Sequence, residues 1–180
     1  AKLQDTLARL EREPNAYGVV TLHRPSNVDQ PESLAPLLDV LIEASRELPL
    51  VFPVHPRTQA RIEQFGLAGR MAAAPGVVQT KPLGYLDFLS LTSQARLIVT
   101  DSGGLQEEST VLGIPCLTAR FNTERPVTVE QGTSTLVGND PAKLRDGLRA
   151  ILGGTYKCGQ CPQLWDGHAA ERIARILVGA

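Results

Sequence analysis

Short aliphatic and β-branched runs alternate along this chain with longer amphipathic stretches, and that alternation restricts the fold more than any other feature of the 180 residues. Runs of this kind, each followed by a helix-length segment of period 3.6, are what βαβ units on a parallel sheet require. Six strands are expected: Tyr17–Leu22, Leu50–His55, Gly76–Thr80, Arg96–Thr100, Ile114–Thr118 and Thr135–Val137. Helices are expected between them at 32–47, 57–65, 85–94, 104–112, 126–131 and 141–152. Pro31, Pro49, Pro75, Pro82, Gly113 and Pro141 punctuate the joints, and no low-complexity linker or internal repeat divides the chain. The expectation is therefore one α/β domain over 1–180, a Rossmann-like doubly wound parallel sheet of about six strands. Residues 1–14 and 168–180 carry flanking helices that stand outside the alternation and pack elsewhere.

Composition narrows the partners. Lys and Arg number 18 against 19 Asp and Glu, a formal charge of −1, which argues against a surface for nucleic acid or anionic lipid. With 42% hydrophobic and 21% charged residues the chain is globular, and disorder and fibrous repeats are excluded. Four Phe, three Tyr and one Trp leave Leu, Val, Ile and Ala to fill the core. No apolar stretch approaches the roughly 20 residues that cross a bilayer, and the N-terminal AKLQDTLARLERE has no signal-peptide core, so no membrane partner and a cytoplasmic location are expected. The chain begins with Ala and its one Met is Met71, so either an initiator Met is trimmed or an upstream portion is missing. Three cysteines do not make a disulfide framework. Cys116 reads as a small core residue. Cys158 and Cys161, in KCGQC, have the spacing of half a zinc site or a redox pair, but no second CxxC or HxxxH supplies the remaining ligands, so they read as loop cysteines with no metal.

In the usual strand order 3-2-1-4-5-6, the first and fourth strands are neighbours whose connections leave in opposite directions, opening a crevice at their C-terminal ends. The two loops leaving those strands are the most unusual in the sequence: HRPSN (His23–Asn27) and DSGG (Asp101–Gly104). Ser102 is placed to cap a helix, and Gly103–Gly104 would let a ligand approach its exposed amides, which favour an anion such as phosphate. Of Glu107 and Glu108, one is expected to face hydroxyls, since both would repel a phosphate. His23 and Arg24 would supply charge-assisted donors, and His55 in PVHPR repeats the theme. Arg125, just ahead of Pro126 in TERP, would reach the same crevice. Phe88 serves either a Leu-rich core face or as a stacking platform for a base.

Together TLHRPSNVD, PVHPR, DSGGLQEESTVLGIP, TERPVTVEQGTSTLVG and DGHAAERI resemble UDP-N-acetylglucosamine 2-epimerase, in the family's order from about Tyr17 to the end. The likeness is to the C-terminal half of proteins about twice as long, which have a GT-B architecture of two Rossmann-like domains facing each other across a cleft. It implies that Phe88 borders the uracil, that Ser102, Gly103 and Gly104 hold the phosphates, that Glu108 holds the ribose hydroxyls and that Arg125 lies near phosphate and sugar. His23 would be catalytic. Arg24 and His55 would match residues that bind a second UDP-GlcNAc as allosteric activator in non-hydrolysing members. The final helix would cross to the partner domain. Departures are Pro25 and Ser26 where many members read HRxEN, Val127 in place of Glu, and WDG (Trp165–Gly167) in place of GDG.

The resemblance further implies a reaction: anti elimination of UDP from UDP-GlcNAc to a bound 2-acetamidoglucal, then re-addition on the other face to give UDP-ManNAc, with no cofactor. The carboxylates that move the C2 proton would belong to an N-terminal domain of the same enzyme, a partner absent from these 180 residues, so this chain alone is expected to bind UDP weakly without turnover. A homodimer is expected through that other half. The alternatives are a hydrolysing epimerase, the donor-binding half of a GT-B glycosyltransferase, and a stand-alone nucleotide-binding module.

Overall fold

The computed structural model describes residues 2–179, with the backbone alone for 2–5; Ala1 and Ala180, the ends of the two flanking segments, lie outside the described residues. In chain order the elements are α1 (Lys2–Arg9), β1 (Gly18–Thr21), α2 (Pro25–Val28), α3 (Pro31–Ala44), β2 (Leu50–Pro53), α4 (Pro56–Gln64), α5 (Ala68–Ala72), β3 (Val77–Thr80), α6 (Tyr85–Ser93), β4 (Leu97–Thr100), α7 (Gly103–Leu112), β5 (Cys116–Thr118), α8 (Pro126–Glu130), β6 (Ser134–Leu136), α9 (Pro141–Leu152) and α10 (Ala169–Val178). All six expected strands form, five within their expected spans, while β6 begins one residue earlier than expected, at Ser134 rather than Thr135. Two short helices, α2 and α5, were not anticipated, because four or five residues are too few to show a period.

The sheet order is β3-β2-β1-β4-β5-β6 and every pairing is parallel. Residues on successive positions of a strand face opposite sides, and here both sides are covered, which explains strands without polar alternation. Val20, Leu50, Phe52, Leu97, Val99 and Leu117 enter one core beneath α3, α4 and α9. Tyr17, Val19, Val51, Ile98 and Cys116 enter the other beneath α1, α6 and α7. Burying one such aliphatic side chain is worth about 1.5–3 kcal/mol. Tyr17, wholly buried, donates its hydroxyl to the Leu91 carbonyl at 2.6 Å, satisfying the one polar atom it brings inside.

Proline occupies the first helical position of α2, α4, α8 and α9, each of which follows a strand, where its missing N–H costs nothing and its fixed φ starts the helix. α7 opens on two glycines instead.

The two outer helices behave differently. α1 packs on α6, with Thr6 donating to Asp87 at 2.7 Å and Arg9 within 3.4 Å of the same carboxylate. This corrects the expectation that both flanking helices pack elsewhere: Leu7 is an integral member of the second core. α10 buries none of its side chains and leaves Ile173, Ile176, Leu177 and Val178 exposed. The loop before it is tied to the end of α8 by Gln160 N–H to the Gln131 carbonyl (2.9 Å) and by Lys157 to the Val129 carbonyl (2.6 Å). Gly159 lies so close to Gly132 that a Cβ would stand 2.4 Å from its carbonyl carbon. Cys158 and Cys161 in this loop are exposed and unbridged, while Cys116 is buried in the core as expected. No cluster of three or more metal-ligating side chains occurs among the described residues, and no helix there is long and apolar enough to cross a membrane.

Candidate functional site

The parallel order places the ends of β1 and β4 side by side, so the residues that follow them meet. Asp101, the first residue after β4, is fully buried. Its Oδ2 accepts from the His23 amide (2.9 Å), the Arg24 amide (2.8 Å) and Asn27 Nδ2 (3.0 Å), while His23 Nδ1 stands 2.9 Å from Oδ1. Asn27 Nδ2 also donates to the Ala119 carbonyl at 2.8 Å, tying the same turn to the end of β5. One carboxylate thus closes the HRPSN loop onto the sheet. Pro25 starts α2 immediately after these contacts, which keeps the loop short.

The charges follow from that geometry. Burial alone would push the Asp101 carboxyl up, but the His23 hydrogen bond, the Arg24 and His23 amides and Asn27 outweigh it, and the group is held below the usual carboxylate range. His23 moves the other way: the hydrogen bond to Asp101 raises it, against partial desolvation and the nearby Arg24. With Nδ1 engaged by Asp101, Nε2 is the ring nitrogen left for a ligand.

His23, Ser102 and Gly104 share one cleft of about 280 Å³, lined also by His55, Phe88 and Glu108. The imidazole and the α7 amino end therefore open onto a single mouth. Ser102 occupies the N-cap position, yet its side chain makes no capping bond, and its amide is taken by Thr100 Oγ1 at 2.9 Å. Gly103 and Gly104 follow at the first helical turn, where amides have no intrahelical acceptor. A Cβ on Gly104 would meet nothing within 4 Å, so its backbone is open to a ligand.

Each remaining expected residue takes a definite position. Phe88 is half-buried, packed with Leu83 against the second core while also lining the cleft. His55 lines the cleft, its ring centroid 5.5 Å from that of His23, and its Nδ1 accepts the Arg57 amide at 3.1 Å to cap α4. Arg24 turns its Nε to the Asp101 carbonyl at 2.9 Å rather than into a free fork. Glu107 pairs with Arg125 at 2.8 Å, whereas Glu108 lines the cleft, its carboxyl raised by burial and by the neighbouring Glu107. Arg125 Nη1 would lie 3.1 Å from a Cβ on Gly103, which puts the guanidinium over the first residue of α7.

Two residues take a part in the site that sequence reasoning does not assign: Asp101 as the orienting acid, and Asn27. Both stand inside the two unusual loops, and a carboxylate directly after the buried strand LIVT is the signal for Asp101.

A family model described as UDP-N-acetylglucosamine 2-epimerase matches residues 1–178. The chain belongs to the UDP-N-acetylglucosamine 2-epimerase family. Among curated relatives, the UDP-N-acetylglucosamine 2-epimerase of Methanocaldococcus jannaschii is 40% identical over 163 residues, 89% of this chain and 44% of its own length. The UDP-2,3-diacetamido-2,3-dideoxy-D-glucuronate 2-epimerase of Pseudomonas aeruginosa is 36% identical over 165 residues, 91% and 44% respectively. A crystal structure of the M. jannaschii UDP-GlcNAc 2-epimerase in complex with UDP-GlcNAc and UDP superposes with a TM-score of 0.77 at 35% identity, covering 99% of this chain and 52% of that one. This epimerase-family chain spans about half the length of the curated relatives it matches.

Proposed function

We propose that the chain is the UDP-binding part of a 2-epimerase acting on UDP-GlcNAc, in which this crevice grips the diphosphate and stabilises it as it leaves C1. The observation that carries the reading is that His23, oriented by Asp101, opens onto the same mouth as the α7 amino end. The M. jannaschii relative solved with UDP-GlcNAc and UDP supports the ligand class.

Each residue then has a task. The amides of Gly103 and Gly104, the Ser102 side chain and Arg125 hold the phosphates; Glu108 accepts from the ribose hydroxyls; Phe88 borders the base. Inversion at C2 proceeds by elimination, since that C–H is not adjacent to a carbonyl. The C2–H and C1–O bonds break, C1=C2 forms, and UDP departs with the electron pair of the C1–O bond. Negative charge grows on the β-phosphate, where helix amides, Arg125 and the Nε2–H of His23 are most stabilising in the transition state. UDP then adds back with the proton returned to the opposite face of C2. Carboxylates for that proton transfer are assigned to a second domain, which also covers the apolar side of α10. Arg24 and His55, beside His23, form the activator position, and no cofactor is needed. On this reading the enzyme is non-hydrolysing, dimeric through its other half, and serves cell-envelope polysaccharide synthesis in the cytoplasm.

Calorimetry with UDP tests the site: residues 1–180 should bind UDP at up to millimolar levels, and His23→Asn should weaken it. Absence of heat at those concentrations would remove the reading. The same chain with UDP-GlcNAc, followed by NMR, should show no UDP-ManNAc; turnover would refute the assignment of the proton-transferring carboxylates.

A further inference from the structure

The carboxylate of Glu124 stands at a focus of positive charge. Arg120 grips it with both terminal nitrogens, Nη1 to Oε2 at 2.8 Å and Nη2 to Oε1 at 2.6 Å. Arg125 Nη1 lies 3.8 Å from Oε2, and Arg24 acts from further away. The Arg120 hydrogen bond foremost, then Glu124's own backbone amide and the charges of Arg120 and Arg24, hold the Glu124 carboxyl down at about 2.

The two members of the bidentate pair differ in freedom. The Arg120 side chain is 5% exposed, fixed just beyond β5, whereas Glu124 is 61% exposed in the loop leading to α8. Arg120 and Arg125 also converge on the same backbone: a Cβ on Gly103 would stand 3.7 Å from Nη1 of Arg120 and 3.1 Å from Nη1 of Arg125. Arg125 also pairs with Glu107 at 2.8 Å, so the repulsion among the two guanidiniums and the positive end of α7 falls mainly on Arg120, whose fork calls for an anion. A carboxylate and a phosphate offer a guanidinium fork the same pair of oxygens.

The geometry points to Arg120 as a further anion-binding residue of the cleft, with the Glu124 carboxylate as an internal occupant that a phosphate group of the ligand displaces. This deepens the UDP reading and rests on it. In the empty protein Glu124 neutralises the buried guanidinium; on binding, its exposed side chain swings to water while Arg120 stays where the fold fixes it.

The test is Glu124→Gln in the 180-residue chain, titrated by calorimetry at fixed salt with UDP, inorganic pyrophosphate and uridine. The variant should bind UDP and pyrophosphate on the order of fivefold tighter or more, because one competing charge is gone, with uridine unchanged. Arg120→Lys should weaken UDP about tenfold, since a point charge replaces a fork. If wild type binds UDP and Glu124→Gln binds it equally or more weakly, the displacement is overturned, and Glu124 is a fixed part of the clamp. If neither protein binds UDP, the UDP reading falls, and pyrophosphate alone decides this inference: tighter binding by Glu124→Gln supports it, equal binding overturns it. Glu124 is exposed, so this arm holds even if Arg120→Lys does not fold.

Discussion

His23 and Asp101 reach each other across two adjacent parallel strands, with Nδ1 2.9 Å from Oδ1; the carboxylate is sealed from water and the imidazole side chain remains 40% exposed. The acid is therefore the fixed half of the pair and the imidazole the half that is open to the cleft. Asp101→Asn keeps the shape but loses the charge, so the His23 titration followed by ring-proton NMR should move down towards the ordinary histidine value. The same substitution should cost about 1.5–3 kcal/mol of stability in denaturant unfolding, the range for hydrogen bonds to a charged group. A His23 titration that does not move would mean that the imidazole and the carboxylate are uncoupled in solution.

The pair also sets a pH window. Asp101 is depressed in the folded protein, so its contribution is present above the unfolded carboxylate value, about 4, and is lost as pH falls through the lower folded value. His23 is raised, so its contribution is complete below about 6.5 and is lost as pH rises through the higher folded value. Thermal unfolding between pH 3 and 9 should show a plateau between these limits, and His23→Gln should remove the decline on the alkaline side. A decline that survives the substitution would belong to another group.

Gly104 allows stability and binding to be moved in opposite directions. A Cβ there meets nothing within 4 Å, and the residue is helical, so Gly104→Ala should stabilise the empty protein by about 0.4–1 kcal/mol. It should also weaken UDP, because the added methyl occupies the approach to the helix amides. Melting temperature and calorimetric affinity measured on the same preparation check both signs; unchanged affinity would place the phosphates elsewhere.

Gly159 makes a structural prediction away from the cleft. A side chain there collides with the Gly132 backbone, which has no flexible end to yield, so Gly159→Ala should destabilise by about 1–3 kcal/mol, the cost of overpacking. Cys158→Ser and Cys161→Ser, on exposed neighbours, should each stay within about 0.5 kcal/mol. Urea unfolding of the three variants separates the loop's backbone contact from its thiols.

Most of the architecture was legible because fully buried parallel strands announce themselves: YGVVTL and RLIVT have no solvent face, and Pro or Gly marks nearly every joint. The crevice followed from the strand order, and His23, Phe88, Ser102, Gly104 and Glu108 do line it together. What stayed hidden were partnerships rather than positions. Nothing in HRPSN reveals that one carboxylate from 74 residues further on accepts from Asn27, or that Arg24 spends its Nε on a backbone carbonyl. Arg120 and Glu124 escaped notice for a related reason: a buried guanidinium and an exposed acid four residues apart look like an ordinary surface pair until the fold carries one of them under Gly103. α10 leaves its aliphatic side uncovered, whereas α1 packs against the sheet's helical layer through Leu7, a depth that nothing in its sequence signals.

The prolines that open α2, α4, α8 and α9 have a bearing on selectivity. Every helix that begins this way presents one donor fewer at the rim where the strands end. α7, entered through a glycine pair, keeps its full complement. Steering at that rim is thus partly by subtraction: four helix ends are blunted, and of the helices that follow a strand α6, starting at Tyr85, and α7 keep theirs intact, with only α7 entered through glycines.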